Sequence, residues 1–247
     1  GYLQLYSKFQ EPFYLQKAEA AGAYLCSLQK SNGQYLYDTF EFNSSKPQGL
    51  TLIHNALPSI ALLDLYQHTK NQRYLLTAKK NIRWFTARLW NGKYLTGCGN
   101  QDLCAAEALL RLYAVEKKPV YKERGLALAD IHLQLQLQKG PLTGGFLRGF
   151  HEQNLVIPWY DAKTVDSYRA IDEVLSTERY ASPIQNTLSF LQRNMSLHGL
   201  HHWYIKHHQQ WKSVPQPYLI APSGLLLDLF SQYRLKTSFN LEKYQHA

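Results

Sequence analysis

Between His151 and Glu173 the chain reads HEQNLVIPWYDAKTVDSYRAIDE, its richest run of side chains able to do chemistry. Trp159 and Tyr160 stand side by side, followed by Asp161, Lys163, Asp166, Tyr168, Arg169, Asp172 and Glu173. Aromatic rings among carboxylates suit a sugar, because the rings cover the apolar faces of a pyranose while polar groups take its hydroxyls. Two carboxylates across such a cleft could serve as acid and base in glycoside hydrolysis. A Tyr or His base, with Lys, Arg or Asn neutralising a substrate carboxylate, would instead suit β-elimination or epimerisation of a uronate. Asp161, Asp166 and Tyr168 are therefore candidate catalytic residues, with His151, Glu152, Trp159, Tyr160 and Lys163 as candidate substrate contacts. A structural reading competes: Asp166 could cap a helix, Tyr168 and Ile171 could face a core, and Asp172 and Glu173 could be solvated. Trp159 and Tyr160 could equally plug an opening after Pro158.

Other candidates are scattered. Asp38, after Tyr35 and Tyr37, and Asp102 are further possible catalytic carboxylates, and His54, Asn55 and Gln101 are possible substrate contacts. Asn55, Asp102 and Thr164 are acceptable helix caps, but capping explains His54, Gln101 and Lys163 poorly. The stretch HGLHHWYIKHHQQW from His198 invites a metal reading, with His201, His207 and His208 meeting across a hairpin whose tip is near Lys206 to Gln210. Strand alternation would put His201 and His202 on opposite faces, and no Cys or carboxylate completes a set. The expectation is no metal, no cofactor, and a Trp203 and Tyr204 that pack or touch ligand. Cys98 and Cys104 bracket CGNQDLC, close enough for a disulfide if a loop brings their Cα atoms within about 7 Å; alternatively Cys104 is a small buried residue. Cys26 reads as core, and no Cys/His set has zinc spacing.

The elements that must position these residues are marked by a repeated glycine turn with an aromatic arm: NGQYLYD, NGKYLTG, GGFLRG and HGLHHWY. Gly33, Gly92, Gly145 and Gly199 are 59, 53 and 54 residues apart, the period of stacked supersecondary units. After each arm comes an apolar run: LPSIALLDLY at 57–66, CAAEALLRLY at 104–113, DSYRAIDEVL at 166–175 and APSGLLLDLF at 221–230. Their apolar spacing is helical, which places Pro58 and Pro222 in first turns. Before each glycine lies a charged amphipathic stretch, at 11–28, 73–89, 121–137 and 180–197. One wet helix alternating with one apolar helix predicts an all-α protein, an α/α toroid or open arc of about four helical hairpins with short aromatic β-arms. Arms and inner-helix N-termini then share a rim. Aligning the runs pairs His54 with Gln101 and Asn55 with Asp102, and puts Lys163 and Thr164 in the third copy and Tyr218 in the fourth.

Composition bounds the rest. The period crosses nearly all 247 residues without a linker, so 1–247 reads as a single domain, or as a fragment of a longer chain, since Gly1 is no initiator Met. No run approaches the roughly 20 apolar residues of a membrane span, and residues 1–30 lack the pattern of a signal peptide. The net charge of +9 is spread over the outer helices rather than packed into one arm, which argues against nucleic acid. It fits a solvated surface or an anionic partner such as an acidic glycan.

GLTLIHNALPSIALLDLYQHTKNQRYLLTAKKNIRWF and NQDLCAAEALLRLYAVEKKPVYKERGLALA, with the turn-and-arm motif, resemble α/α-toroid carbohydrate-active enzymes. These include six-hairpin glycosidases, uronate lyases and the helical domain of glucuronyl C5-epimerases. The resemblance covers most of the chain and describes a helical repeat, with no one family's catalytic signature matched. Aspartate clusters of terpenoid cyclases and zinc ligands of lanthionine synthetases are absent. It implies a periplasmic or secreted enzyme, hydrolase, lyase or epimerase, acting on an acidic polysaccharide or oligosaccharide in the arm-side cleft. The alternatives are a non-catalytic repeat that binds a glycan or a protein partner on its concave face, and a cytoplasmic location.

Overall fold

The structure, a computed structural model, describes residues 1–35, 52–194 and 203–214. Asp38, His198, His201, His202, Tyr218, Pro222 and the run at 221–230 lie outside the described residues. The described chain is predominantly helical. The charged stretches form α2 (Pro12–Leu28), α4 (Gln72–Leu89), α6 (Pro119–His132, then a 3-10 turn Leu133–Leu135) and α8 (Ala181–Arg193). The apolar runs form α3 (Leu52–Thr69), α5 (Gly99–Glu116) and α7 (Pro158–Leu175), and α1 (Tyr2–Phe9) precedes them all. Outer-helix amphipathicity is plain in α4. It buries Tyr74, Ala78, Asn81, Ile82 and Phe85 and exposes Arg73, Leu76, Lys80, Arg83 and Arg88.

The inner helices start earlier than their apolar runs. Pro58 therefore lies inside α3, a turn beyond the start, and removes one helical donor there. Asp166 lies in the middle of α7, whose first residue is Pro158, so it does not cap. The copies consequently align differently in the third repeat: the fourth residue of the inner helix is Asn55, Asp102 or Asp161, and Lys163 falls two places later. A second mark recurs at the far ends. Gln10, Lys70, Lys117 and Ser176 all adopt left-handed backbone, with φ of 57°, 57°, 57° and 52°. The N–H groups of the first three donate to Tyr6, Tyr66 and Tyr113 at 2.7, 2.8 and 2.7 Å. Leu5-Tyr6 thus matches Leu65-Tyr66 and Leu112-Tyr113 in its place before the left-handed residue.

The chain divides into two compact units, Gly1–Thr96 with Cys104–Ala129, and Gly97–Leu103 with the residues from Asp130 on. Each contains one glycine latch of the same design. In the first, Gly33 has φ 97°, and its carbonyl accepts from Gln29 (3.2 Å) and Asn81 (2.8 Å). Asn81 also donates to Asn55 Oδ1 at 3.0 Å, and Asn55 Oδ1 accepts the Tyr35 N–H at 2.9 Å. In the second, Gly144 has φ 93°, and its carbonyl accepts from Gln136 (3.3 Å) and Thr187 (3.0 Å). Asp161 Oδ1 there accepts the Phe146 N–H at 3.1 Å. Gln29 corresponds to Gln136, Asn81 to Thr187, and Asn55 to Asp161. The anchoring glycine of the third copy is thus Gly144, one residue before the Gly145 of the sequence alignment.

Gln136 holds three partners at once, the Gly144 and Pro183 carbonyls and the Thr187 hydroxyl at 3.0 Å, and is buried. Gln136→Leu is expected to destabilise the protein by about 2 kcal/mol in urea unfolding, since buried acceptors lose their donor. An unchanged midpoint would show that the latch carries little of the stability.

The second unit holds a four-stranded antiparallel meander of β1 (Leu147–Gly149), β2 (Glu152–Val156), β3 (Trp203–His207) and β4 (Gln210–Val214). Phe150 and His151 turn the first hairpin. The second turns at His208 and Gln209, with φ of 45° and 67°, the primed geometry that matches strand twist. Gly97 and Cys98 run beside β1, through a Cys98–Gly149 bridge and a 2.9 Å bond from Phe150 N–H to the Gly97 carbonyl. The sheet therefore sets the arms of the second, third and fourth copies edge to edge. Tyr204 turns to α8, with its hydroxyl bonded to Asn194 Oδ1 at 3.1 Å and its ring edge-on to Phe190.

Candidate functional site

The N-terminal turn of α7 gathers the strongest candidates, all within the second unit. Pro158 opens the helix, where its missing N–H costs nothing. Trp159 and Tyr160 follow with ring centroids 4.2 Å apart and both half-buried. The face of α7 that stays partly exposed then runs Trp159, Lys163, Asp166, Arg169 and Glu173, at helical spacing. Lys163 Nζ lies 2.6 Å from Asp166 Oδ2, and Arg169 lies 3.3 Å from Asp166 Oδ1. Burial pushes the Asp166 carboxyl up, but the two cations outweigh it and hold the group below the usual carboxylate range. Asp166 is thus an ionised carboxylate with 28% side-chain exposure between two donors.

Asp161 and Tyr168 point the other way. Asp161 is 1% exposed, holds the arm through Phe146, and has no protein partner for Oδ2; burial pushes it well above the ordinary 3.8. Tyr168, 1% exposed, packs on Tyr180 with ring centroids 4.5 Å apart and on His132 at 5.9 Å. Burial, with Tyr180 and Asp130 nearby, raises its pKa well above the ordinary tyrosine value. Asp172 closes the α7–α8 connection by accepting from the Thr177 hydroxyl (2.8 Å) and the Tyr180 N–H (2.9 Å).

Beneath Tyr160 and Arg148 lies a cavity of about 10 Å³, room for about one water, lined also by Asn100, His132, Phe146, Asp161 and Thr164. His132 stacks on Phe146 with centroids 4.8 Å apart and planes 3° from parallel. Among the described residues neither of its ring nitrogens has a hydrogen-bond partner, nor does Arg148 Nε. Burial lowers His132 to about 3, so the imidazole is neutral. Nothing in the sequence marks His132 and Asn100 as site residues. Their polar type at helix ends was visible, but only the packing brings them to Asp161.

The remaining candidates are placed as follows. Asp102 is buried in the first turn of α5, where its Oδ2 accepts the Gly97 N–H at 2.9 Å; Gln101 beside it is half-buried. His151 and Glu152 are exposed at the β1–β2 turn, and Glu152 pairs with Arg148 at 2.7 Å. Trp203 is half-buried on β3 opposite Val214. In the first unit, Asn55 is buried in its latch, and half-buried His54 has its pKa lowered by burial. No disulfide joins Cys26, Cys98 and Cys104, so the Cys98–Cys104 bridge does not form, and Cys98 Sγ lies 3.3 Å from Asn100 Oδ1. Among the described residues no group of three His, Cys, Asp or Glu could hold a metal, and no helix is long and apolar enough to cross a membrane.

No protein-family model matches the sequence, and no curated protein does. Solved structures do match. The GH76A α-1,6-mannanase from Salegentibacter sp. HEL1_6 superposes with a TM-score of 0.71 at 18% identity, over 90% of this chain and 65% of that one. A GH76 α-mannanase from Bacteroides thetaiotaomicron gives 0.67 at 16% identity, over 98% and 67%. Cellobiose 2-epimerase from Bacillus thermoamylovorans B4167 gives 0.62 at 15% identity, over 84% and 62%. A D-mannose isomerase and a polysaccharide lyase match with TM-scores of 0.59 and 0.58. These are α/α-toroid carbohydrate-active enzymes, and the fold of this chain is theirs. The chain spans about 65% of the length of the Salegentibacter enzyme.

Proposed function

We propose that this chain is the glycan-processing part of a carbohydrate-active enzyme, a hydrolase, lyase or epimerase, exported to the periplasm or beyond, with the exposed face of α7 as its substrate side. The observation that carries the reading is the row Trp159, Lys163, Asp166 and Arg169, an indole and an ionised carboxylate on one helix face between two cations. Trp159 and Tyr160 would cover a sugar face. Asp166, ionised well into acid, would act as base or stabilise developing positive charge, and Lys163 and Arg169 would take the oxygens of an anionic sugar. Asp102 and Asp161, as latches, would hold the arms in place.

Purified protein should be offered α-1,6-mannan oligosaccharides, oligogalacturonate and reducing disaccharides, while following reducing ends, unsaturated products and deuterium exchange at sugar carbons. Asp166→Asn is expected to lower turnover by about 100-fold or more, with the melting temperature nearly unchanged. Equal turnover in wild type and variant would remove Asp166 from the reaction. A second reading, a non-catalytic glycan-binding module, has one observation in its favour. A Salegentibacter variant called inactive carries two adjacent Asp-to-Asn substitutions and was solved with α-1,6-mannotriose, whereas this sequence contains no Asp-Asp pair. Binding of these oligosaccharides without turnover of any would favour that reading.

A further inference from the structure

Outer helix α4 carries a feature that the α7 face does not use. A groove of about 560 Å³ in the first unit is lined by Asn32, Leu76, Lys79, Lys80, Arg83 and Trp84. Its floor is a stripe of α4 at helical spacing, about 12 Å long at 1.5 Å per residue. Its wall is the glycine turn, fixed to that stripe: Asn81 donates to the Gly33 carbonyl at 2.8 Å, and a Cβ on Gly33 would lie 2.7 Å from the Lys80 carbonyl oxygen. Asn32 is itself held by accepting the Gln34 N–H at 2.9 Å.

The charge in this groove is one-sided. The only carboxylate that its cations meet among the described residues is Glu116, which pairs with Lys79 and also with Lys118 at 3.2 Å. Burial pushes the Glu116 carboxyl up, yet the two lysines hold it below the usual range, so its charge is already matched. Lys80 and Arg83 form no ion pair among the described residues. Both are exposed, as is Leu76, and Trp84, one turn beyond Lys80, is half-buried.

We propose that this groove is a binding site for an acidic oligosaccharide, with Lys80 and Arg83 taking its carboxylate or sulfate groups and Trp84 covering a sugar face. The site is separate from the α7 face and does not depend on it for its chemistry. A single indole beside two cations that form no ion pair among the described residues suits a ring with an acidic substituent. Membrane docking would need several protruding apolar side chains where the groove offers Leu76, and duplex DNA would need phosphate contacts far beyond one short stripe.

The test is calorimetric titration of the full chain with oligogalacturonate and a sulfated oligosaccharide, with an α-1,6-mannan oligosaccharide, duplex DNA and anionic phospholipid vesicles as comparisons. Binding of the acidic sugars should weaken with salt and fall by about tenfold or more in Lys80→Glu/Arg83→Glu, the order expected from reversing two charges beside a bound anion. Trp84→Ala should weaken it too, while Asp166→Asn leaves it unchanged, which separates this site from the proposed reaction. Affinity within about twofold of wild type in the double variant, with its melting curve intact, would overturn the proposal. So would tighter binding of DNA or vesicles that is lost in the same variant.

Discussion

Gly144→Ala is expected to lower the unfolding free energy by about 4 kcal/mol, among the largest effects available from adding one methyl group to this chain. Two independent causes add. Gly144 has φ 93°, where an L-residue is strained by about 1–2 kcal/mol. A Cβ there would also lie 2.2 Å from the Asn186 carbonyl oxygen and 2.8 Å from its carbon. Those are backbone atoms of α8, so relief requires moving the helix, and overpacking of this kind costs about 1–3 kcal/mol more. The shift would pull Thr187 and Gln136 away from the Gly144 carbonyl. Gly92 is the control: its φ is 97°, but nothing lies within 4 Å of its Cβ position. Gly92→Ala should therefore cost only about 1–2 kcal/mol. Equal costs at the two positions in urea unfolding would mean that backbone conformation alone, and not the latch, sets the requirement for glycine.

Asp161→Asn is expected to stabilise the protein at neutral pH and to leave it acid-labile. Burial raises the Asp161 pKa well above its ordinary 3.8, so the fold keeps a proton that the unfolded chain releases. Native protein therefore binds more protons than unfolded protein above pH 3.8, and stability falls as pH rises from there to the folded-state value, by up to about 1.4 kcal/mol per unit. His132 works oppositely. Its pKa is lowered from 6.5 to about 3, so its stability contribution is complete above 6.5 and lost as pH falls toward 3. In wild type the two slopes oppose each other just above pH 3.8. Asparagine keeps an oxygen for the Phe146 N–H and removes only the titration. The variant should thus match wild type near pH 3.5 and be the more stable of the two at pH 7. Between pH 6.5 and 3 it should lose stability steadily, through His132 together with the other groups held below their ordinary values, His54, Asp166 and Glu116. Parallel pH profiles for variant and wild type would show that Asp161 does not hold the proton.

Much of this protein is written locally. The wet and apolar helices, the glycine turns and the aromatic arms follow from side-chain spacing within about 20 residues, because helix periodicity and left-handed backbone are properties of short segments. The hairpin that the sequence allows with its tip near Lys206 to Gln210 turns between His207 and Gln210. The register of the third repeat is not written locally. Asp161, and not Thr164, is the counterpart of Asn55 because it lies where the Phe146 N–H needs an acceptor. That pairing, like the bond between Gln136 and Thr187 across 51 residues, exists only once the chain has folded. The same holds for the polar residues of the rich stretch. By type, Asp161, Asp166 and Asp172 are equivalent carboxylates. Burial on the arm makes the first a latch with a raised pKa, two flanking cations make the second a partly exposed anion, and the third closes the α7–α8 connection. The sequence by itself determined which elements form and which chemistry they carry. Tertiary structure alone decided which carboxylate meets solvent, because solvation and long-range hydrogen bonds are set by packing and not by neighbours in the chain.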